Sequence, residues 1–199
     1  MESLVVFGAT LGLIALLEIG DKTQLITVSL ASRHPWREVL AGAAIGLTAA
    51  TAIGAAIGGV LAATLEEWLP YIKIGGGLLF IALGLWTVIQ AVRRHAKAEA
   101  PEAIPSTARS AFLESTSLIF LAEFGDKTQV AVIILAATNV APISVFAGAS
   151  VAETAVAMTS VLIGATLTRF LTQRWLELVS TALFVIAGAL LILEAFVSF

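Results

Sequence analysis

A short charged segment occurs twice in this chain, each time inside a long apolar run. Residues 18–24 read Glu-Ile-Gly-Asp-Lys-Thr-Gln, and residues 123–129 read Glu-Phe-Gly-Asp-Lys-Thr-Gln, at an offset of 105. An ionisable side chain at the centre of a membrane helix costs about 2.5–3.5 kcal/mol on insertion scales, so such residues mark functional sites by default. Any fold for this chain must therefore place both segments where their charges are compensated.

The composition assigns the chain to the membrane proteins. Its 199 residues are 59% hydrophobic and 13% charged, whereas soluble domains are about 45–50% apolar and about 25% charged. A helix needs about 20 apolar residues to cross a bilayer core of about 30 Å. We therefore expect an all-α integral membrane protein with six transmembrane helices, at residues 4–31, 39–63, 71–92, 111–137, 143–168 and 176–197.

The duplicated segment belongs to a longer internal repeat. Residues 41–43 match residues 147–149 at an offset of 106, and residues 79–80 match residues 183–184 at an offset of 104. Because each repeat has three spans, an odd number, the second must start on the opposite side of the membrane, and we expect inverted repeats. The predicted units are a first three-helix repeat, a linker loop and a second three-helix repeat, at residues 1–92, 93–110 and 111–199.

Basic residues concentrate on one side of this predicted topology. Apart from the motif lysines, the other side carries only Lys73. Cytoplasmic loops are enriched in Lys and Arg, so we expect both termini to be non-cytoplasmic and the 93–110 loop to be cytoplasmic. The residues that set this orientation are Arg33, Arg37, Arg93, Arg94, Lys97, Arg109, Arg169 and Arg174.

The spacing within each motif predicts a cluster on one helical face. Glu18 and Asp21 are three residues apart, and Glu18 and Lys22 are four apart, so a continuous helix would align all three. The second copy has the same spacing. Gly20 and Gly125 lie between the acids, where a helix can kink or open and free its backbone carbonyls.

Carboxylates from two facing motifs would form an anionic, oxygen-rich site, and the chain has no cysteine to favour a softer metal. Such a site suits Ca²⁺, Mn²⁺ or Mg²⁺. Protons and metal would compete for the same groups, which is the minimal mechanism of cation/proton exchange. The predicted ligands are Glu18, Asp21, Gln24, Glu123, Asp126 and Gln129, with Lys22, Thr23, Lys127 and Thr128 as accessory residues. For the lysines, a salt bridge and a direct role in transport stay equally open.

Several polar residues outside the motifs allow two interpretations. Glu153 lies in the middle of span five, where the repeat counterpart is Leu47. It is either a gate or proton-relay carboxylate or an acid whose hydrogen bond joins neighbouring helices. Thr48, Thr51 and Thr154 either line the site or bond their own backbone. The histidines, His34 and His95, are expected to be solvated loop residues.

At its two motifs the chain resembles the Gdt-type divalent cation/proton antiporter family. Twin Glu-x-Gly-Asp-[Lys/Arg]-[Thr/Ser] motifs in a small six-span protein are specific to that family, and the resemblance covers nearly the whole chain. It implies that Glu18, Asp21, Glu123 and Asp126 are the motif acids. It also implies export of Mn²⁺, or next of Ca²⁺, from the cytosol in exchange for H⁺. The chain lacks the targeting extension of organellar members, so we expect a bacterial plasma membrane protein, with a thylakoid or other internal membrane of a photosynthetic bacterium as the alternative.

Three other functions compete with this hypothesis. A passive channel or uniporter for Mg²⁺ or Ca²⁺ would use the same acids, although buried protonatable acids in inverted repeats favour alternating access. A membrane enzyme is disfavoured because the sequence has no Ser/His, Cys/His or multi-histidine cluster. An assembly factor would tolerate loss of the motif acids. The expected partners are a divalent cation and the lipid bilayer and not nucleic acid, and the glycine-rich spans leave a homodimer open.

Overall fold

The computed structural model describes residues 2–19, 21–31, 34–93, 108–139, 141–163 and 173–197, and within them all regular structure is helical. Most of the predicted linker, together with His95, lies outside the described residues. The helices are α1 (Glu2–Glu18), α2 (Lys22–Ala31), α3 (Trp36–Thr64), a 3₁₀ turn (Glu66–Trp68), α4 (Leu69–Arg93), α5 (Ala108–Glu123), α6 (Lys127–Thr138), α7 (Pro142–Ile163) and α8 (Gln173–Val197).

Two of the predicted spans are each divided into two helices. The apolar segment 4–31 becomes α1 and α2, and the segment 111–137 becomes α5 and α6, with the division at the charged motif in both cases. The other four predicted segments correspond to α3, α4, α7 and α8. Two of their starts follow from sequence: Pro35 immediately precedes α3 and Pro142 is the first residue of α7, and a proline at or just before the first turn suits a helix start.

Within the described chain, two helices are long and apolar enough to cross a membrane by length and composition, Trp36–Thr64 and Pro142–Leu162. The segments Leu69–Leu85 and Lys127–Thr138 are apolar but shorter. Core helices of soluble proteins also pass such a test, so the six spans and their inverted arrangement stay predictions. What the structure does establish is an all-helical protein with large apolar side chains on its exterior, among them Leu4, Val60, Leu121, Ile143, Leu162 and Phe196.

Two helices of each half pack extensively against the other half of the chain. Helix α1 lies against α7, and α3 lies against α5. Both contacts form at a glycine: a Cβ on Gly42 would lie 2.7 Å from the carbonyl oxygen of Phe112, and one on Gly148 would lie 2.6 Å from that of Phe7. Glycine is required at both positions because no side chain fits at that distance. The two contacts are equivalent under the repeat found in the sequence.

The last helices of the two halves, α4 and α8, pack mainly against each other. At their crossing Gly77 and Gly188 touch backbone to backbone, and the Thr181 hydroxyl donates a hydrogen bond of 3.1 Å to the Gly84 carbonyl. Gly84 is the repeat counterpart of Gly188, so these contacts are also related by exchange of the halves. Small residues allow this close approach where lipid provides no hydrophobic drive for association. The main apolar core also includes Phe80 of α4 and Leu191 of α8, which are buried with Ile14 of α1 and Val145 of α7.

Candidate cation site

The polypeptide leaves the helical conformation inside each charged motif. In the first copy α1 ends at Glu18 and α2 begins at Lys22; in the second, α5 ends at Glu123 and α6 begins at Lys127. The two breaks share a turn: the Asp21 N–H donates to the Glu18 carbonyl at 3.1 Å, and the Asp126 N–H donates to the Glu123 carbonyl at 3.0 Å. Each motif therefore contributes an acid from a helix end and an acid from a turn.

The predicted alignment of Glu18, Asp21 and Lys22 on one helical face is wrong, and so is that of their counterparts in the second motif. No continuous helix runs through either motif, because the glycine between the acids has a low helix propensity. Gly125 has φ of 78°, a left-handed conformation that side chains disfavour. Asp126 follows it in an extended conformation as the N-cap of α6. The predicted opening of the second motif at Gly125 is confirmed, whereas Gly20 lies outside the described residues.

The breaks bring three acids together from two helix pairs. Glu18, Asp21 and Glu123 each present one carboxylate oxygen, and these three oxygens lie within 4.8 Å of one another. Glu18 and Glu123 are almost fully buried, with 2% and 1% of their surface exposed. Such a separation allows one cation to contact all three side chains. Asp126, the other acid of the second motif, is half-buried and is not one of the three members of this cluster.

Each motif stabilises the acid of the other motif. The Thr23 hydroxyl donates to Glu123 Oε2 at 2.9 Å, and the Thr128 hydroxyl donates to Glu18 Oε2 at 3.1 Å. Both threonines are buried. A hydrogen bond contributes about 0.5–1.5 kcal/mol, and about 1.5–3 kcal/mol when the acceptor is ionised. The reciprocal pair therefore fixes the two glutamates at the interface between the halves.

One motif lysine also crosses this interface. Lys127 Nζ lies 2.7 Å from Asp21 Oδ1, with side-chain exposures of 16% and 11%. The lysine thus neutralises the aspartate of the other motif. The second oxygen of Asp21 is buried and has no hydrogen-bond partner among the described residues. The side chain of Lys22, the equivalent lysine, lies outside the described residues.

The motif glutamines have different environments from the carboxylates. Gln129 Oε1 accepts a hydrogen bond of 2.6 Å from the Gly125 N–H, and its Nε2 donates to the Ala50 carbonyl at 3.1 Å. In this conformation Gln129 joins the break in the second motif to α3. Sequence could not have identified Ala50, because its contribution is a backbone carbonyl that any residue would provide. Gln24 is buried at the start of α2.

Outside the motifs, Glu153 of α7 is buried and accepts a hydrogen bond from the Thr51 hydroxyl of α3. The expected helix-to-helix hydrogen bond of Glu153 is therefore present. Thr48 and Thr154 are half-buried, and none of the described hydrogen bonds joins them to a motif carboxylate.

The predicted solvation of His34 is wrong: it is buried, and its Nε2 lies 3.6 Å from Glu114 Oε2.

An all-helical protein with an apolar exterior and buried carboxylates at the junction of its two halves has the character of a membrane transport protein for cations. A family model described as divalent cation/proton antiporter GDT1 matches residues 6–95 and 111–198. The chain therefore belongs to the GDT1 family, and the resemblance predicted from the twin motifs is confirmed. The family consists of cation antiporters, so the protein is a transporter rather than an enzyme.

Curated relatives support this assignment over nearly the full chain. GDT1-like protein sll0615 of Synechocystis sp. is 34% identical over 193 residues, covering 91% of this chain and 93% of the relative. GDT1-like protein 4 of Oryza sativa subsp. indica is 30% identical, covering 89% and 69%. Protein PAM71, chloroplastic, of Arabidopsis thaliana is 29% identical, covering 94% and 56%. No solved structure matches this chain.

Proposed function

We propose that this protein exports a divalent cation from the cytosol in exchange for protons, with Mn²⁺ as the first candidate and Ca²⁺ as the second. The observation that carries the proposal is the cluster of Glu18, Asp21 and Glu123, whose oxygens lie within 4.8 Å of one another. The proposed location is the plasma membrane of a bacterium. Membership of the antiporter family supports the exchange with protons.

The charge of the cluster supports a divalent rather than a monovalent ion. Three ionised carboxylates and the Lys127 ammonium, which lies 2.7 Å from Asp21, carry a net charge of −2. One divalent cation neutralises this charge. Carboxylate and hydroxyl oxygens are the ligands that Mn²⁺ and Ca²⁺ accept readily. We propose Asp126, Gln24 and Gln129 as additional ligands, supplied from the same two motifs.

The proposed mechanism of exchange is competition for the carboxylates. Protonation removes the negative charge that attracts the cation, so metal leaves where the proton concentration is high and binds where it is low. Burial of Glu18 and Glu123 makes this competition strong. A carboxyl group away from water is stable either as a neutral, protonated group or as an ionised group beside a cation. The reciprocal hydrogen bonds from Thr23 and Thr128 couple the occupancy of the site to the contact between halves.

The proposed topology is six spans in two inverted repeats. The divided helices, α1 with α2 and α5 with α6, would each form one discontinuous span, as in many secondary transporters whose ion site lies at the membrane midplane. The paired contacts at Gly42 and Gly148 support an approximate two-fold relation between the halves. Because the chain has no cysteine, single cysteines can test the orientation. A cysteine at Glu67 should react from outside the cell, and one at Ala98 only after permeabilisation.

The activity is tested with purified protein in liposomes. We expect uptake of Mn²⁺ that saturates with concentration and grows with an imposed pH gradient, and uptake of Ca²⁺ measured in parallel ranks the two ions. Asp21→Asn and Glu123→Gln should abolish both. The matched control is Glu67→Gln, which removes an exposed acid distant in sequence from the motifs and should transport normally.

Two results would contradict the proposal. Flux that is independent of the pH gradient and does not saturate would identify a passive channel or uniporter. Normal transport by both motif variants would show that the carboxylate cluster does not carry the cation.

A further inference from the structure

We infer that Glu153, an acid outside both motifs, is a proton-binding residue of the exchange, separate from the carboxylates that hold the cation. This inference rests on the proposed function and adds a second binding site for the proton. It assigns to α7 a role that the twin motifs do not account for.

Glu153 lies at the interface between the halves of the chain. It belongs to the second half, and the Thr51 hydroxyl that donates to its Oε2 belongs to the first half. The two residues are 1% and 2% exposed. A hydroxyl can donate to an ionised carboxylate and can accept from a protonated one. Thr51 can therefore satisfy Glu153 in both protonation states without any movement of the helices.

The neighbouring charges link Glu153 to the cation cluster. Helix α7 packs against α1, α2, α3 and α6, and the charges of Glu18 and Glu123 repel that of Glu153. At the same junction of the halves, Lys127 is paired with Asp21, and Asp126 precedes it in the second motif. Among the described ion pairs none includes Glu153. An ionised Glu153 would then be a buried charge without a cation, and such a charge is costly.

This arrangement makes the proton on Glu153 depend on the cation. A divalent cation among Glu18, Asp21 and Glu123 cancels the repulsion from the two glutamates and favours release of the proton from Glu153. Departure of the cation restores the repulsion and favours uptake of a proton. Coupling between two sites is reciprocal, so a proton on Glu153 equally favours release of the cation. Binding of one ion thus opposes binding of the other, as cation/proton exchange requires.

Packing does not explain an acid at this position. The repeat counterpart of Glu153 is Leu47, which is buried to the same extent in an apolar cluster with Ala43 and Ile119. The same place in the fold is therefore filled by an apolar side chain in the first half. A leucine in both halves would avoid the cost of burying a carboxyl group. The asymmetry indicates that the second half keeps an ionisable group for a purpose other than helix contact.

The test separates movement of the cation from its coupling to protons. Proteoliposomes loaded with Mn²⁺ exchange it for external radioactive Mn²⁺ at equal pH, which needs no proton transfer. Accumulation of Mn²⁺ driven by a pH gradient does need it. For Glu153→Gln we expect equal-pH exchange within about twofold of wild type and at least a tenfold loss of gradient-driven accumulation. Glu153→Leu, which introduces the side chain of the counterpart Leu47, should behave in the same way and guards against a defect specific to the amide.

A matched control is Ser160→Ala, which removes another buried polar group of α7 whose hydroxyl bonds only to the Val156 carbonyl in the described structure. This variant should retain both activities. Gradient-driven accumulation at the wild-type level in Glu153→Gln would overturn the inference. Loss of both activities by a variant that still unfolds at the wild-type temperature would also overturn it, because Glu153 would then belong to the cation path itself. A wild-type protein that moves neither Mn²⁺ nor Ca²⁺ would instead overturn the proposed function, and the inference with it.

Discussion

The ion pair between Lys127 and Asp21 gives a quantitative prediction about stability. At 2.7 Å, the Coulomb attraction of two unit charges is about 6 kcal/mol for an effective dielectric constant of about 20, and the loss of hydration offsets much of it. Removing one partner takes the nearest opposite charge away from the other, which costs about 3–5 kcal/mol for a buried pair. When Asp21 is replaced, Glu18 and Asp126 still attract Lys127. Because both side chains keep some exposure, we expect a loss near the lower end of that range, about 3 kcal/mol, for Asp21→Asn and for Lys127→Met.

The assay is a double-mutant cycle on the purified protein in detergent, with unfolding followed by the fluorescence of its four tryptophans. A loss of 1 kcal/mol lowers the melting temperature by roughly 2–4 °C for a chain of this size, so each single variant should melt roughly 6–12 °C below wild type. The double variant has neither buried charge, and its loss should be smaller than the sum of the single losses by about 1–3 kcal/mol.

Additivity within about 0.5 kcal/mol would refute the reasoning, since uncoupled sites add to that precision. The cycle also separates stability from transport. The double variant should lose less stability than the two single losses added together, and it should not transport Mn²⁺, because Asp21 is a proposed ligand and asparagine has no charge with which to replace it.

Two glycine substitutions test the helix contacts and the break. Gly42→Ala places a Cβ 2.7 Å from the Phe112 carbonyl oxygen and should destabilise the protein by about 1–3 kcal/mol in thermal unfolding. The control is Gly12→Ala, whose Cβ meets nothing within 4 Å and which should keep the wild-type stability. Equal melting temperatures for the two variants would contradict the α3–α5 packing. Gly125→Ala also meets no neighbouring atom, but alanine there must adopt φ of 78°, so this variant should lose about 1–2 kcal/mol of stability. Its control is Gly75→Ala in a regular helix, which should be neutral or stabilising. A neutral Gly125→Ala would contradict the described turn.

Sequence predicted the family and the helical segments well, because these depend on local hydrophobicity and on a specific repeated motif. The sequence also predicted that acids of the two motifs cluster, but from the incorrect assumption that each motif is a continuous helix. Spacings of three and four residues fit one helical face, but glycine followed by aspartate is equally a signal for the start of a new helix. Periodicity could not decide between these two, and the structure shows the second, with α6 starting after Asp126.

Contacts between the halves could not be predicted from either motif alone. The sequence places Lys127 beside Asp126, yet in the structure it pairs with Asp21 of the other motif. A polar break such as the one around His34 predicts a solvated side chain, and its burial beside Glu114 depends on how α5 packs there. Such partners are set by the tertiary packing of the helices, whereas hydropathy reports only on each segment by itself.

The reciprocal hydrogen bonds from Thr23 to Glu123 and from Thr128 to Glu18 have a consequence for how such a chain can be assembled. When residue i of one unit contacts residue j of another, and j of the first contacts i of the second, the interface is isologous, the type that joins the subunits of two-fold dimers. This single polypeptide therefore has the interface of a dimer fused into one chain. Neither half alone contains the three clustered acids Glu18, Asp21 and Glu123, so the cluster exists only when the two halves are in contact, as a site at a dimer interface exists only in the dimer.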